Sequence, residues 1–221
     1  MKTDLLMSRI HQSLQGQINS NCGVAKLPPQ LQENTPEELE RALLFAFRKQ
    51  VEGRGLAYED VTNAEMGVKI KSAVAWLTGP QYRSCLLLQG TKGNGKTTLM
   101  EALYQLYRAV DASIVSVKCD RLAEYFVMQT LGLTSAYTEY KTASRLCIDE
   151  LGIEPERCMI YGVEYMPIQS LLTYRYEKQL PTIITTNLSD TMIQKRYGER
   201  ISDRFAEMCT ILRFKAPSYR Q

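Results

Sequence analysis

The sequence predicts a three-layer α/β/α fold built on a parallel five-stranded sheet and preceded by a helical N-terminal segment. Three observations carry this reading. From Ser84 onward, short β-branched or leucine-rich runs alternate with segments of helical periodicity. Most of those runs are continuously apolar, as parallel strands buried on both faces require. The first run is followed directly by Gly90-Thr91-Lys92-Gly93-Asn94-Gly95-Lys96-Thr97, a GxxxxGK[ST] pattern placed between a strand and a helix.

Along the chain, residues 1 to 57 read as an N-terminal helical arm and residues 58 to 221 as the α/β domain. Leu5, Leu6, Ile10 and Leu14 form one short amphipathic stretch, and glycines, prolines and many Gln and Asn follow, so the first 35 residues read as a helix on a loose arm. Thr35-Pro36-Glu37-Glu38 supplies an N-cap, a proline at the first helical position and acids in the first turn. Leu39, Leu43, Leu44 and Phe47 continue it as a helix over 36–50, which Gly53 and Gly55 end. A second helix over 63–77 carries Met66, Ile70, Val74 and Leu77 at helical spacing. Neither helix contains obvious chemistry. Strands are predicted at Ser84–Gln89, Ala112–Lys118, Arg145–Asp149, Pro181–Thr186 and Cys209–Phe214. Helices over 96–110, 119–130, 164–179 and, in two pieces, 190–207 supply the right-handed crossovers between them.

Composition excludes several kinds of chemistry. The six cysteines are scattered, with no CxxC, and are expected as reduced thiols, several of them core-facing. A single histidine, His11, leaves neither a zinc site nor a His-based triad with its ligands or base. The longest apolar runs, Ala42 to Phe47 and Cys85 to Leu88, fall far below a membrane span. Asp4 and Arg9 interrupt any signal-peptide core, so a cytosolic protein is expected. The net charge of +3 falls entirely from Ser189 onward, where seven basic residues face four acidic ones. A basic C-terminal stretch suits either polyanion contact or a solvated face.

The candidate chemistry begins at the glycine-rich loop. Its glycines let the backbone wrap closely around a phosphate, with N–H groups and the positive end of the following helix facing the anion. Lys96 is expected to reach the β and γ phosphates of a nucleotide, and the Thr97 hydroxyl to ligate magnesium. Arg145-Leu146-Cys147-Ile148-Asp149-Glu150 is an apolar strand ending in two acids. A carboxylate there points into the crevice where the nucleotide lies, so Asp149 can hold magnesium through water and Glu150 can polarise an attacking water. That acidic pair favours hydrolysis over small-molecule phosphoryl transfer, which must keep water out. Asn187, at the tip of a strand, can orient the water near the γ phosphate or cap the next helix, a role open equally to Ser189. Arg200 and Arg204 lie four apart on one helix face. They can serve a neighbouring subunit's γ phosphate or pair with Glu199, Asp203 or Glu207.

Five motifs in constant order, GTKGNGKT, LCIDELG, TIITTNLS, YGERISDRF and the terminal Ser218-Tyr219-Arg220, resemble the AAA+ ATPases of the bacterial helicase-loader group, the DnaC, DnaI and IstB relatives. The likeness spans residues 58 to 221. It implies an ATPase using ATP and Mg2+, with Gly90, Gly93, Asn94, Gly95, Lys96, Thr97 and Thr98 as the Walker A contacts and Asp149 and Glu150 as Walker B. Asn187 matches sensor 1, Arg204 the trans-acting arginine finger with Arg200 as second choice, and Arg220 sensor 2. Only 34 residues follow Asn187, so the lid is reduced. The group's extra DNA-binding helix corresponds to Asp120 to Lys141. There Arg121, Tyr125, Phe126, Tyr137, Tyr140 and Lys141 can meet single-stranded DNA. Leu122, Tyr125, Phe126 and Leu131 suit a core equally well. The resemblance also implies a homo-oligomer in the ATP state that places a replicative helicase on single-stranded DNA, with the helix near residues 3 to 15 as the helicase-binding arm. The zinc-binding cysteines of some relatives are missing from the first 57 residues. A transposition helper acting on duplex DNA and a nucleotide-gated adaptor with little turnover are the alternatives.

Overall fold

The computed structural model describes residues 27–55, 64–79 and 83–215. The helix expected near residues 3 to 15, His11, Cys22 and Arg220 lie outside them. Two helices lead in, α1 (Pro36–Glu52) and α2 (Ala64–Thr78). The body follows as β1 (Cys85–Gly90), α3 (Lys96–Arg108), β2 (Val115–Lys118), α4 (Cys119–Thr130), α5 (Ala136–Thr142) and β3 (Leu146–Leu151). A two-stranded ribbon, β4 (Cys158–Ile160) and β5 (Val163–Tyr165), precedes α6 (Pro167–Glu177) and β6 (Thr182–Thr186). Helices α7 (Asp190–Tyr197) and α8 (Glu199–Met208) and strand β7 (Cys209–Phe214) complete it.

The main sheet runs β2-β3-β6-β1-β7, and every pair in it is parallel. Its strands are buried on both faces, which is why they read as continuous apolar runs. Along β1, Leu86 and Leu88 enter the core shared with α1, α2 and α3, while Cys85 and Leu87 face the opposite layer of α4 to α8. All five cysteines among the described residues are free and buried, as the scattered spacing predicts. No helix among the described residues is long and apolar enough to cross a membrane.

Helix α1 begins with the expected capping box: Glu38 N–H donates to Thr35 Oγ1 (3.2 Å) and Thr35 N–H to Glu38 Oε2 (2.9 Å). Its apolar stripe packs on the α/β body instead of standing in a separate helical arm. Leu39, Leu43 and Phe47 are fully buried in one core with α2, α3 and the sheet, so the boundary drawn at residue 57 does not separate α1 from the α/β body. An amphipathic stripe has the same periodicity whether it covers its own domain or a partner.

The helix predicted over 164–179 is also corrected. Its first residues form β5, paired antiparallel with β4, and the helix starts only at Pro167, whose fixed φ suits the first turn. The ribbon is rooted by buried Glu154. Its carboxylate accepts from Gly152 N–H (2.8 Å) and from the Tyr197 hydroxyl, and Arg196 reaches it from α7. Gly198, at φ +84°, divides α7 from α8 where the sequence predicts a two-piece helix. Beneath the α4–α5 insertion, the fully buried Arg175 guanidinium donates to Ala143 O, Pro181 O and Thr182 Oγ1, each at 2.8 Å. Burial pulls its pKa down to about 9, and these acceptors are what let a cation remain there.

Candidate functional site

The loop 90–95 leaves the carboxyl end of β1 in the middle of the sheet and runs straight into α3. Gly90 is required by contact: a Cβ there would lie 2.5 Å from the Phe214 carbonyl oxygen. Gly95 is required by conformation, since at φ +90° it caps α3 in the left-handed region. The N–H groups of Lys96, Thr97 and Thr98 in the first turn have no intrahelical acceptor, and the helix dipole adds positive potential there. The Lys96 ammonium folds back over the loop and donates to Thr91 O (2.5 Å) and Asn94 Oδ1 (3.0 Å). Asn94 Nδ2 in turn reaches Phe214 O at 3.4 Å, so the loop is braced against β7. Thr98 is nearly buried, and its hydroxyl accepts from Arg54 Nη1 at 2.9 Å. Its side chain is therefore turned to the end of α1, which leaves its backbone N–H for an anion.

The acidic pair stands opposite. The Thr97 hydroxyl donates to Asp149 Oδ1 at 2.9 Å across the gap between α3 and β3. Both groups are hard oxygen donors. Mg2+ is usually held by only one or two protein ligands and completes its shell with phosphate oxygens and water, so this pair fits it. No cluster of three or more His, Cys, Asp or Glu suited to a metal occurs among the described residues.

Successive strand residues point to opposite faces, and that alternation is interrupted at Asp149 and Glu150. The register between β3 and β6 shifts between Ile148 and Leu151, and Glu150 takes φ +60°. Such a bulge re-aims a side chain, and positive φ in a glutamate is a strained conformation held by its surroundings. The holder is Thr185 on β6. Its hydroxyl donates to Asp149 Oδ1 (2.6 Å) and accepts from Glu150 N–H (2.8 Å), so one oxygen fixes both acids. Lys118, ending β2, places Nζ 3.2 Å from Glu150 Oε2, and that bond and charge raise the lysine pKa.

The sequence reading missed both residues. Each is a polar residue near the carboxyl end of its strand, and only the strand order brings it to Asp149 and Glu150. Thr185→Val keeps the shape and removes the hydroxyl. It is expected to cost about 1–3 kcal/mol of stability in urea denaturation, because the Glu150 N–H loses its buried acceptor.

Asn187 is half-buried at the end of β6, and the helix after it is capped by Ser189, whose hydroxyl accepts from Met192 N–H at 3.2 Å. The Asn187 amide thus stays available, on the wall of a cavity of about 360 Å³ shared with Gly90, Thr91 and Phe214. On α8, Arg204 does not pair with Glu199, Asp203 or Glu207. It lies 4.7 Å above the Tyr176 ring with Nη2 3.3 Å from Glu177 Oε1, so α6 of its own chain holds it. Arg200 is exposed.

The aromatic residues of the α4–α5 insertion pack on one another. Tyr125 stacks on Tyr140 with ring centres 5.7 Å apart, and Phe126 meets Tyr137 edge-on at 5.1 Å. Tyr137 is buried with its hydroxyl on Pro167 O (2.6 Å), while Lys141 sits 5.0 Å over the Tyr174 ring and Arg121 pairs with Glu124. The core reading holds for Leu122, which is buried, and for Tyr125 and Phe126, which are half-buried against the same core, while Tyr137, expected at DNA, is buried as well. It fails for Leu131, which is exposed with Met128 and Leu133.

No family model matches the chain, and comparison with curated proteins gives no match. Solved structures do resemble it. The DnaC helicase loader is 22% identical, with a TM-score of 0.56 over 70% of this chain and 92% of its own. DnaI is 20% identical, with a TM-score of 0.52 over 75% and 94%. The replication initiator DnaA, bound to AMPPCP and single-stranded DNA, is 13% identical, with a TM-score of 0.56 over 71% of this chain and 48% of its own. With a parallel sheet in the order β2-β3-β6-β1-β7, a glycine-rich loop after β1 and two acids at the end of β3, the chain has a three-layer α/β/α fold that it shares with DnaC, DnaI and DnaA.

Proposed function

We propose that this protein binds ATP with Mg2+ between the 90–97 loop and Asp149, hydrolyses it, and helps load a replicative helicase onto single-stranded DNA. The observation that carries the ATPase reading is the line of three hydroxyl and carboxyl groups, Thr97, Asp149 and Thr185, beside the free N-terminus of α3. It would join a phosphate cradle to a cation site, and Glu150 follows Asp149 directly in the strand. In this reading Lys96 binds the β and γ phosphates, Thr97 and Asp149 hold Mg2+, Glu150 polarises the attacking water and Asn187 orients it. Mg2+, when bound, neutralises charge that develops on the phosphates.

Loading is supported by the fold shared with the DnaC helicase loader and DnaI, and contact with single strands by the fold shared with DnaA, which binds them. Assembly of several copies would supply an arginine to each neighbour's γ phosphate. Arg200 can do so as it stands, whereas Arg204 must first leave Tyr176 and Glu177. Arg220 as sensor 2 and the helicase-binding helix near residues 3 to 15 belong to the same proposal.

The Lys118–Glu150 ion pair favours a second reading, a nucleotide-gated adaptor with little turnover, because Glu150 Oε2 is engaged by an ammonium 3.2 Å away where a water would have to sit. One experiment separates the two. ATP binding and hydrolysis are measured on the full chain alone, with single-stranded DNA and with duplex DNA. Turnover stimulated by single strands supports the loader. Binding without turnover under every condition supports the adaptor, and preference for duplex DNA shifts the reading to a transposition helper.

A further inference from the structure

We infer that Gln89 is a positioning residue for Asn187, acting through a clamp that includes Asp190 and Arg213. The inference rests on the ATPase reading and adds to it a residue and a mechanism of alignment.

Strand β1 is apolar from Cys85 to Leu88 and then carries a glutamine, Gln89, that is 5% exposed. A buried amide is unfavourable unless bonded, and a leucine would serve a purely structural position better. Gln89 spends both of its N–H groups on the segment that follows Asn187. Nε2 donates to Leu188 O at 2.9 Å and to Asp190 Oδ1 at 2.8 Å. Asp190 Oδ2 accepts from Arg213 Nη2 at 2.7 Å, and these partners hold the carboxyl below its ordinary range, Gln89 first and Arg213 after it.

The register explains why these groups meet. Gln89 lies opposite Thr186 of β6 on one side and Arg213 of β7 on the other, so it occupies the carboxyl end of the sheet between the Asn187 loop and β7. The residue after Asn187 is then fixed at both ends: Leu188 N–H donates to Thr186 Oγ1 (3.1 Å) and Leu188 O accepts from Gln89. The very next residue of β1 is Gly90, where the phosphate loop starts. Gln89 therefore ties the loop that carries Asn187 directly to the loop that would carry the phosphates, and the cavity beside it has Asn187, Gly90 and Thr91 on its walls. The Asp190–Arg213 pair is exposed and adds little stability, so its contribution lies in fixing where Leu188 and Asn187 stand.

The test is a double-mutant cycle on the full chain, with kcat, KM, nucleotide affinity and melting temperature as readouts. Gln89→Met keeps the length of the side chain and removes its donors. It should lower kcat about tenfold or more while nucleotide affinity stays within about threefold, since alignment rather than binding is lost. Asn187→Ala should lower kcat at least as far. The pair together should be no worse than Asn187→Ala alone, because Gln89 acts through Asn187. Additive losses overturn the inference, as does wild-type kcat in Gln89→Met. A loss shared equally by kcat, affinity and melting temperature also overturns it, because that is what a merely structural glutamine produces. Should Gln89→Met fail to fold, the exposed Asp190→Ala replaces it, with a kcat loss of about threefold and the same failure to add to Asn187→Ala. Wild-type protein that binds ATP but never turns it over overturns the ATPase reading itself. Wild-type turnover with an unaffected Gln89→Met removes only the positioning role.

Discussion

Lys96→Ala is expected to abolish ATP binding at micromolar concentrations while leaving the fold intact. The ammonium sits inside the loop on two acceptors, Thr91 O and Asn94 Oδ1, so it is already at the place where the β and γ phosphates would lie. Charge-assisted hydrogen bonds are each worth about 1.5–3 kcal/mol. Losing one such bond to the β phosphate and one to the γ phosphate would remove about 3–6 kcal/mol, or roughly 10²–10⁴ in Kd. The backbone N–H groups of α3 survive the substitution and cannot replace a mobile cation that follows the γ phosphate. Titration with a fluorescent ATP analogue, beside a circular-dichroism melt, checks the result. An unchanged Kd would remove the phosphate-binding assignment.

The second large effect is on chemistry alone. Glu150→Gln should bind ATP as the wild type does and lose turnover by about 10²-fold or more, the usual loss when a general base is removed. Glutamine preserves size and can still accept from Lys118 Nζ, and the Glu150 N–H bond to Thr185 belongs to the backbone and survives any side-chain change. The strained φ of this residue is thus carried equally by both variants, so a fall in kcat reports the lost carboxylate and not a collapsed bulge. Single-turnover hydrolysis with saturating ATP makes the comparison. Wild-type turnover in Glu150→Gln would give Glu150 a structural role.

The glycine-rich loop was legible because its requirements are local: eight consecutive residues contain the glycines, the lysine and the hydroxyl. The sheet was legible because burial on both faces leaves continuous apolar runs such as Cys85 to Leu88. The ribbon at Cys158–Tyr165 was not, since two three-residue strands are too short for a period and the root is one buried glutamate whose side-chain partners on α7, Arg196 and Tyr197, lie more than forty residues away. Thr185, Lys118 and Gln89 were hidden for a related reason. Each looks like an ordinary strand end until the parallel order sets it beside a residue from another strand. The place of Arg204 could not be read either, because its partners, Tyr176 and Glu177, come from a different helix instead of the acids beside it in sequence.

The seating of α1 bears on where the chain can be cut. Leu39, Leu43, Phe47 and Val51 are buried against the body, and burying such side chains is worth about 1.5–3 kcal/mol each. Together they approach the whole stability of a typical domain, about 5–15 kcal/mol. A fragment starting at residue 58 would bare the apolar back of the phosphate-loop helix and lose Arg54, which bonds Thr98 and Glu101. A truncation meant to remove a partner-binding arm and spare the α/β body has to stop short of Leu31, which is itself fully buried in that core.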